Sequence, residues 1–196
     1  FSKGDDNMAD PRALRKKRLE NEYDELMRIN GDIIQITPIG KPPYETYKVT
    51  FNIRTIISPK PTYRDRTVCT LNIPPNYPDA PPSIVADHTP YPWHINWFRG
   101  GSWCLGGWNK EESLVNCLNR CARTLQFDPE IANPRSVANG DAMPFWEQNK
   151  NNRRVIPSDS QVLPVPDVPE KITINTRHDA PRIVIRQVEK PKINII

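Results

Sequence analysis

The chain has 196 residues, 27 Lys plus Arg against 23 Asp plus Glu, and 37% apolar residues, enough for one domain of about 150 residues plus an appendage. Proline, at 22 residues, is roughly twice average usage, and with only 8 glycines a collagen-like or Gly-rich linker chain is excluded. Residues 1–149 carry 18 basic and 18 acidic side chains and residues 150–196 carry 9 and 5, so the body lacks the basic excess of a nucleic-acid-binding surface, and no apolar run approaches the ~18 residues of a membrane helix.

Residues 1–9 read as an added or disordered lead, with Met8-Ala9 as an alternative start. No apolar leader segment is visible, so Cys69, Cys104, Cys117 and Cys121 are expected as free thiols in a reducing, cytoplasmic setting. A helix is predicted from Asp10 as N-cap with Pro11 in its first turn. Leu19, Tyr23, Leu26 and Met27 form its apolar face, and Gly31 is the expected C-cap. Arg12, Arg15, Lys16, Lys17 and Arg18 crowd the start of this helix, where positive charge opposes the macrodipole. They read either as a solvated face or as a docking surface for an acidic partner.

Four strands follow. Ile33, Ile34 and Ile36 make a short apolar segment. Tyr47, Val49, Phe51 and Ile53 alternate, as do Cys69, Leu71 and Ile73, and residues 83–86 make a fourth run. The polar, Pro-containing links favour an antiparallel meander, with Cys69 a small buried hydrophobe. Residues 74–92 are dense in proline and aromatics and predict a rigid extended wall. Residues 93–109 hold four tryptophans and four glycines, an irregular loop pinned by large side chains. Residues 112–127 read as a helix with Leu114, Leu118, Cys121, Ala122 and Leu125 on its apolar stripe, ended by Asp128-Pro129. Residues 136–149 suggest a short helix or cap around Phe145 and Trp146. From Lys150 the composition changes to a Pro-rich arm, either disordered or an extended strand-forming segment.

Cys104 is the candidate for chemistry. It lies in GGSWCLGG, in a loop and off every strand alternation or helix stripe, where thiols are more often reactive than structural. Cys117 and Cys121 are spaced i, i+4 and would face a zinc ion with His88 or His94. Cys121, however, falls on the apolar stripe with Cys117 beside it, so core packing is preferred and no metal or other cofactor is expected.

These segments, in this order, resemble the ubiquitin-conjugating enzymes. The likeness covers residues 10–149. It rests on the basic first helix, the meander, Tyr77-Pro78-Asp79-Ala80-Pro81-Pro82 for the family's YP-x-x-PP, His94-Ile95-Asn96 for His-Pro-Asn, Gly101-Ser102-Trp103-Cys104-Leu105 for the active-site segment, and Asp128-Pro129 after the helix. The eight-residue step from Asn96 to Cys104 is the family's.

The resemblance implies an α+β fold with a four-stranded antiparallel meander between an N-terminal helix and a post-cysteine helix. It also implies a cysteine that accepts a ubiquitin-like modifier from an activating enzyme as a thioester and passes it to a lysine of a target protein. Asn96 is implied as oxyanion donor, as holder of the active-site loop, or both, and His94 as a loop-ordering residue. Alignment on Asp128-Pro129 puts Asn133 at the gate for the incoming amine, where the family has an acidic or other polar residue, with Asp128, Glu130 and Asp141 as alternatives. Arg12, Arg15, Lys16 and Arg18 would dock the activating enzyme, an encounter that salt should weaken. Ile95 replaces the family's proline, and packing by Trp93, Trp97 and Trp103 would have to stiffen the loop instead. These departures look more like divergent bacterial conjugating enzymes of ubiquitin-like operons than eukaryotic members. Two other classes compete. A cysteine hydrolase would need a histidine to activate Cys104, and a non-catalytic binding module of the same fold would typically lack the cysteine. Nucleic acid and membrane are not expected as partners.

Overall fold

The computed structural model describes residues 10–158. The chain is α+β: an N-terminal helix, a four-stranded antiparallel sheet and further helices. Helix α1 spans Pro11–Ile29, and the Asp10 carboxylate accepts the Arg12 N–H at 3.0 Å. Its far end is closed by Asn30 rather than by a left-handed Gly31. Asn30 is extended, and its Oδ1 accepts the Ile36 N–H at 2.8 Å, tying the helix end to the first strand.

Strands β1 (Ile34–Ile39), β2 (Thr46–Phe51), β5 (Thr67–Asn72) and β6 (Ser83–Ala86) form the sheet in the order β1-β2-β5-β6. The register pairs Ile36 with Val49, Val49 with Cys69 and Leu71 with Ile84. Alternation then turns Tyr47, Val49, Phe51, Cys69 and Leu71 to one face, where they are fully buried with Leu19 and Leu26 of α1. A small hairpin of β3 (Thr55–Ile56) and β4 (Tyr63–Arg64) interrupts the meander. Two-residue strands are too short to show alternation, and the sequence does not reveal them.

Helix α2 spans Leu114–Leu125, capped by the Ser113 hydroxyl, and its apolar face completes the main core. It stops before Asp128-Pro129. Phe127 takes a left-handed backbone (φ 59°), with Phe127 N–H on the Thr124 carbonyl and Asp128 N–H on the Arg123 carbonyl. This is the paired closure usually given to glycine. An L-residue there costs about 1–2 kcal/mol, offset by burial of the Phe127 ring in a second core with Ile56, Ile95, Phe145 and Trp146. A 3₁₀ turn (Gly140–Ala142) and helix α3 (Met143–Asn149) supply the far wall of that core.

The body does not end at Lys150. Ile156 is buried in the second core, and the Tyr63 hydroxyl donates to the Val155 carbonyl at 2.7 Å. The arm expected from residue 150 therefore starts as packed structure, and its runs at 171–176 and 182–188 lie outside the described residues. A chain ending at Asn149 should unfold about 2–5 kcal/mol more easily than one ending at Ser158, the cost of deleting a buried Ile. Equal urea midpoints and slopes would refute the packing.

One buried group was invisible in the helix stripe. Glu22 on α1 is 2% exposed. Its Oε1 accepts from Arg18 Nε at 2.7 Å and from the Tyr77 hydroxyl at 2.6 Å, and its Oε2 accepts from the Leu114 N–H at 2.7 Å. One carboxylate thus joins α1, the Pro-rich segment and the start of α2. Glu22→Ala should lose about 3 kcal/mol or more, because the Tyr77 and Leu114 donors are left without an acceptor. Glu22→Gln should recover part. A loss under about 1 kcal/mol in denaturant unfolding would show that water replaces the carboxylate.

Among the described residues, no helix is long and apolar enough to cross a membrane.

Candidate active site

The loop after β6 is built onto the sheet. Ala86 N–H donates to the Gly101 carbonyl at 2.8 Å, Trp103 N–H donates to the Ile84 carbonyl at 2.9 Å, and Val85 bridges Ser102. Residues 101–103 therefore run along the outer edge of β6. Gly101 has φ +88°, and a Cβ there would lie 2.6 Å from the Tyr91 ring, so the close approach requires glycine. The Trp97 indole donates to the Gly101 carbonyl at 2.9 Å and the Trp103 indole to the Thr124 hydroxyl at 3.2 Å. Trp93 packs on the second core and donates its backbone N–H to the Ile56 carbonyl. Ile95, in the position of the expected proline, is fully buried, and its carbonyl accepts from Ala138 and Asn139. Packing and hydrogen bonds thus hold the loop.

Cys104 leaves this frame with its N–H on the Asn96 carbonyl at 2.9 Å. It is half-buried, whereas Cys69, Cys117 and Cys121 are buried. Burial pushes the Cys69 and Cys117 thiols up to about 12 and the Cys121 thiol well above its ordinary value. Cys104 opens on a groove of about 170 Å³ shared with Asn96, Arg120, Glu130, Asn133 and Ser136. A wider, open depression of about 800 Å³ adjoins it across Gly107 and Arg120.

Asn96 is 5% exposed. Its amide donates to the Asn133 carbonyl at 3.0 Å and the Ser136 carbonyl at 2.9 Å, and its Oδ1 accepts the Asn133 N–H at 2.8 Å. Both amide hydrogens are thereby spent on the 133–136 turn. Of the two roles open from sequence, this geometry favours the holding role. His94 is fully buried, with its ring edge-on to Phe127 at 4.6 Å and Trp146 at 5.5 Å. Burial lowers its pKa to about 3, so the ring is neutral at pH 7, and Nδ1 accepts the Asn96 N–H at 3.0 Å.

The acid candidates separate. Asn133 lines the groove, its Oδ1 accepting the Arg135 N–H in a local turn. Asp128 does not line it, since its carboxylate takes Arg123 Nε at 2.6 Å and the Glu130 N–H at 2.9 Å. Asp141 pairs with Arg99 away from the groove wall. Glu130 lines the groove, held by Arg123 at 2.9 Å.

The basic face of α1 also divides. Arg12, Lys16 and Lys17 are exposed. Arg15 instead bonds Glu45 at 2.6 Å and the Pro74 carbonyl at 3.0 Å. Arg18 bonds Glu22 and the Glu112 carbonyl at 2.9 Å. These two guanidiniums are turned inward because buried or clustered acceptors lie within their reach. Leu14 is exposed between the outward cations.

Cys117 and Cys121 lie in the main core, while His94 packs against the second. Among the described residues, no group of three His, Cys, Asp or Glu side chains is placed to hold a metal ion. Sequence reasoning missed Arg120, Glu130's place in the wall, and Ser136. Nothing in a single sequence announces contacts between residues 37 and 40 positions apart. No family model matches the chain, and no curated protein matches it.

Proposed function

We propose that the body is a ubiquitin-conjugating-like domain, of the divergent bacterial kind. It accepts a ubiquitin-like protein from an activating enzyme as a thioester on Cys104 and transfers it to a lysine amine of a target. The observation that carries the reading is the contrast among the four thiols: Cys104 alone reaches a groove, with its backbone fixed to Asn96, while the others are buried.

In the first step the Cys104 thiolate attacks the modifier's activated C-terminal carbonyl. An S–C bond forms and the activating enzyme's thiol leaves. In the second step a neutral lysine amine attacks the same carbonyl. The attacking nitrogen gives its surplus proton to water or to the Glu130 carboxylate, the oxyanion collapses, an amide forms, and the Cys104 thiolate departs. Asn96 holds the 133–136 turn against the groove, so Asn133 stands where the amine would enter and Glu130 offers a carboxylate beside it. Arg12, Lys17 and Lys16, which lies 3.8 Å from Glu20, are the exposed cations of the first two turns of α1 that would steer an acidic activating enzyme, with Arg15 and Arg18 serving the fold.

A histidine-activated hydrolase finds less support. Among the described residues no histidine lines the groove, His94 is neutral and enclosed, and His178 lies outside the described residues. The test is to mix the protein with ATP and with an activating enzyme and modifier encoded beside it. A reductant-labile adduct mapping to Cys104 is expected. Absence of any adduct, or cleavage of a modifier fusion by this chain alone, would overturn the reading.

A further inference from the structure

Arg120 on α2 touches both sequence neighbours of Cys104. Its Nη1 donates to the Leu105 carbonyl at 3.0 Å, and its guanidinium lies over the Trp103 ring, 5.6 Å from the centroid. Nε and Nη2 grip the two oxygens of Glu112 at 2.8 and 3.0 Å. Glu112 is itself anchored, its carbonyl accepting from Arg18. After Leu105 the chain passes into Gly106, with φ +76°, and Gly107, where an added Cβ would meet nothing within 4 Å. The thiol's C-terminal side therefore leaves the frame through two glycines with open space around them. On its N-terminal side it is fixed by the strand-like bonds of 101–103. Among the described residues, Arg120 is also the one cation in the wall of the Cys104 groove.

We propose that Arg120 is a positioning residue for Cys104: it fixes the Leu105 carbonyl and the Trp103 ring so that the thiol presents one orientation to the incoming acyl group. This rests on the acyl-transfer reading above. A planar fork is needed, because three of its donors must reach two oxygens of Glu112 and one carbonyl while the guanidinium lies over an indole. Lysine offers a single charged point and does neither. A displacement of the reacting atom by about 1 Å is enough to cost roughly 10²-fold in rate.

The test compares Arg120→Ala, Arg120→Lys and Glu112→Gln in the full chain. Expected are folded proteins in which single-turnover charging and discharge slow by about 10- to 100-fold for Arg120→Ala at unchanged KM. Arg120→Lys should give little rescue and Glu112→Gln a smaller loss. Adding Glu112→Gln to Arg120→Ala should slow transfer no further, since one unit is being removed. Amide exchange at residues 105–107 should quicken in Arg120→Ala, and the pH profile of Cys104 alkylation by iodoacetamide should change. Wild-type rates, exchange and alkylation in folded Arg120→Ala, or full rescue by lysine, would overturn the proposal. If Arg120→Ala does not fold, Glu112→Gln carries the decision: unchanged exchange and transfer there would also overturn it. Should the wild-type protein form no adduct, the acyl-transfer reading fails on its own, and the exchange and alkylation measurements still decide whether Arg120 positions the thiol.

Discussion

Alanine at Cys104 should abolish the reductant-labile adduct altogether, at any concentration of modifier, while Cys117→Ala charges as the wild-type protein does. The reason is access to the groove, together with the scarcity of thiolate at the buried cysteines. A thiol pushed up to about 12, as at Cys69 and Cys117, holds on the order of one thiolate in 10⁵ at pH 7, and those side chains are also sealed in the core. Cys104 is half-buried at the groove, so its removal deletes the nucleophile with little loss of packing. Cys104→Ser should form, slowly, an oxygen ester that resists thiol reductants and yields to hydroxide. Persistent charging of Cys104→Ala would move the chemistry to another residue and end the assignment.

Asn96→Ala should still charge but discharge to lysine roughly 10²-fold more slowly, because the 133–136 turn that its amide holds against the groove would shift by about 1 Å. The geometry adds a second, separable expectation. Three hydrogen bonds join Asn96 to Asn133 and Ser136. At about 1 kcal/mol each, their loss should destabilise the fold by about 3 kcal/mol. Asn96→Asp keeps the acceptor for the Asn133 N–H but sets a carboxylate oxygen against the Asn133 and Ser136 carbonyls, so it should destabilise at least as much as alanine. A slow discharge with an unchanged melting temperature would mean that the amide works on the oxyanion and that the turn does not need it. Normal discharge with lowered stability would leave Asn96 a purely structural residue.

The parts of this molecule that could be read in advance are those where one period repeats for several residues. Tyr47, Val49 and Phe51 alternate, so β2 was legible, as was α2 from Leu114, Leu118 and Leu125. The hairpin of β3 and β4 offers no such repeat. Glu22 interrupts the α1 stripe with a charge, and only its contacts with Arg18, Tyr77 and Leu114 explain why it is inside. Phe127 occupies a left-handed position normally given to glycine, and what compensates is an aromatic cluster assembled from distant segments. Within the site, the loop position of Cys104 and its spacing from Asn96 were visible. The inward commitment of Arg15 and Arg18 was not, because their acceptors, Glu45, the Pro74 carbonyl and the Glu112 carbonyl, come from elsewhere in the chain. The same holds for Asp128, whose carboxylate is taken by Arg123 and a local N–H, and for the packing of Ile156 beyond the expected boundary.

The segment that carries Cys104 also covers the β6 rim of the sheet, through the bonds of residues 101–103 to Ile84 and Ala86. A strand rim left bare is a template for pairing with another molecule. Any lesion that frees this loop would therefore cost solubility along with reactivity, because β6 would be offered to neighbouring chains. The same few bonds that hold the loop carrying Cys104 also cover the β6 edge.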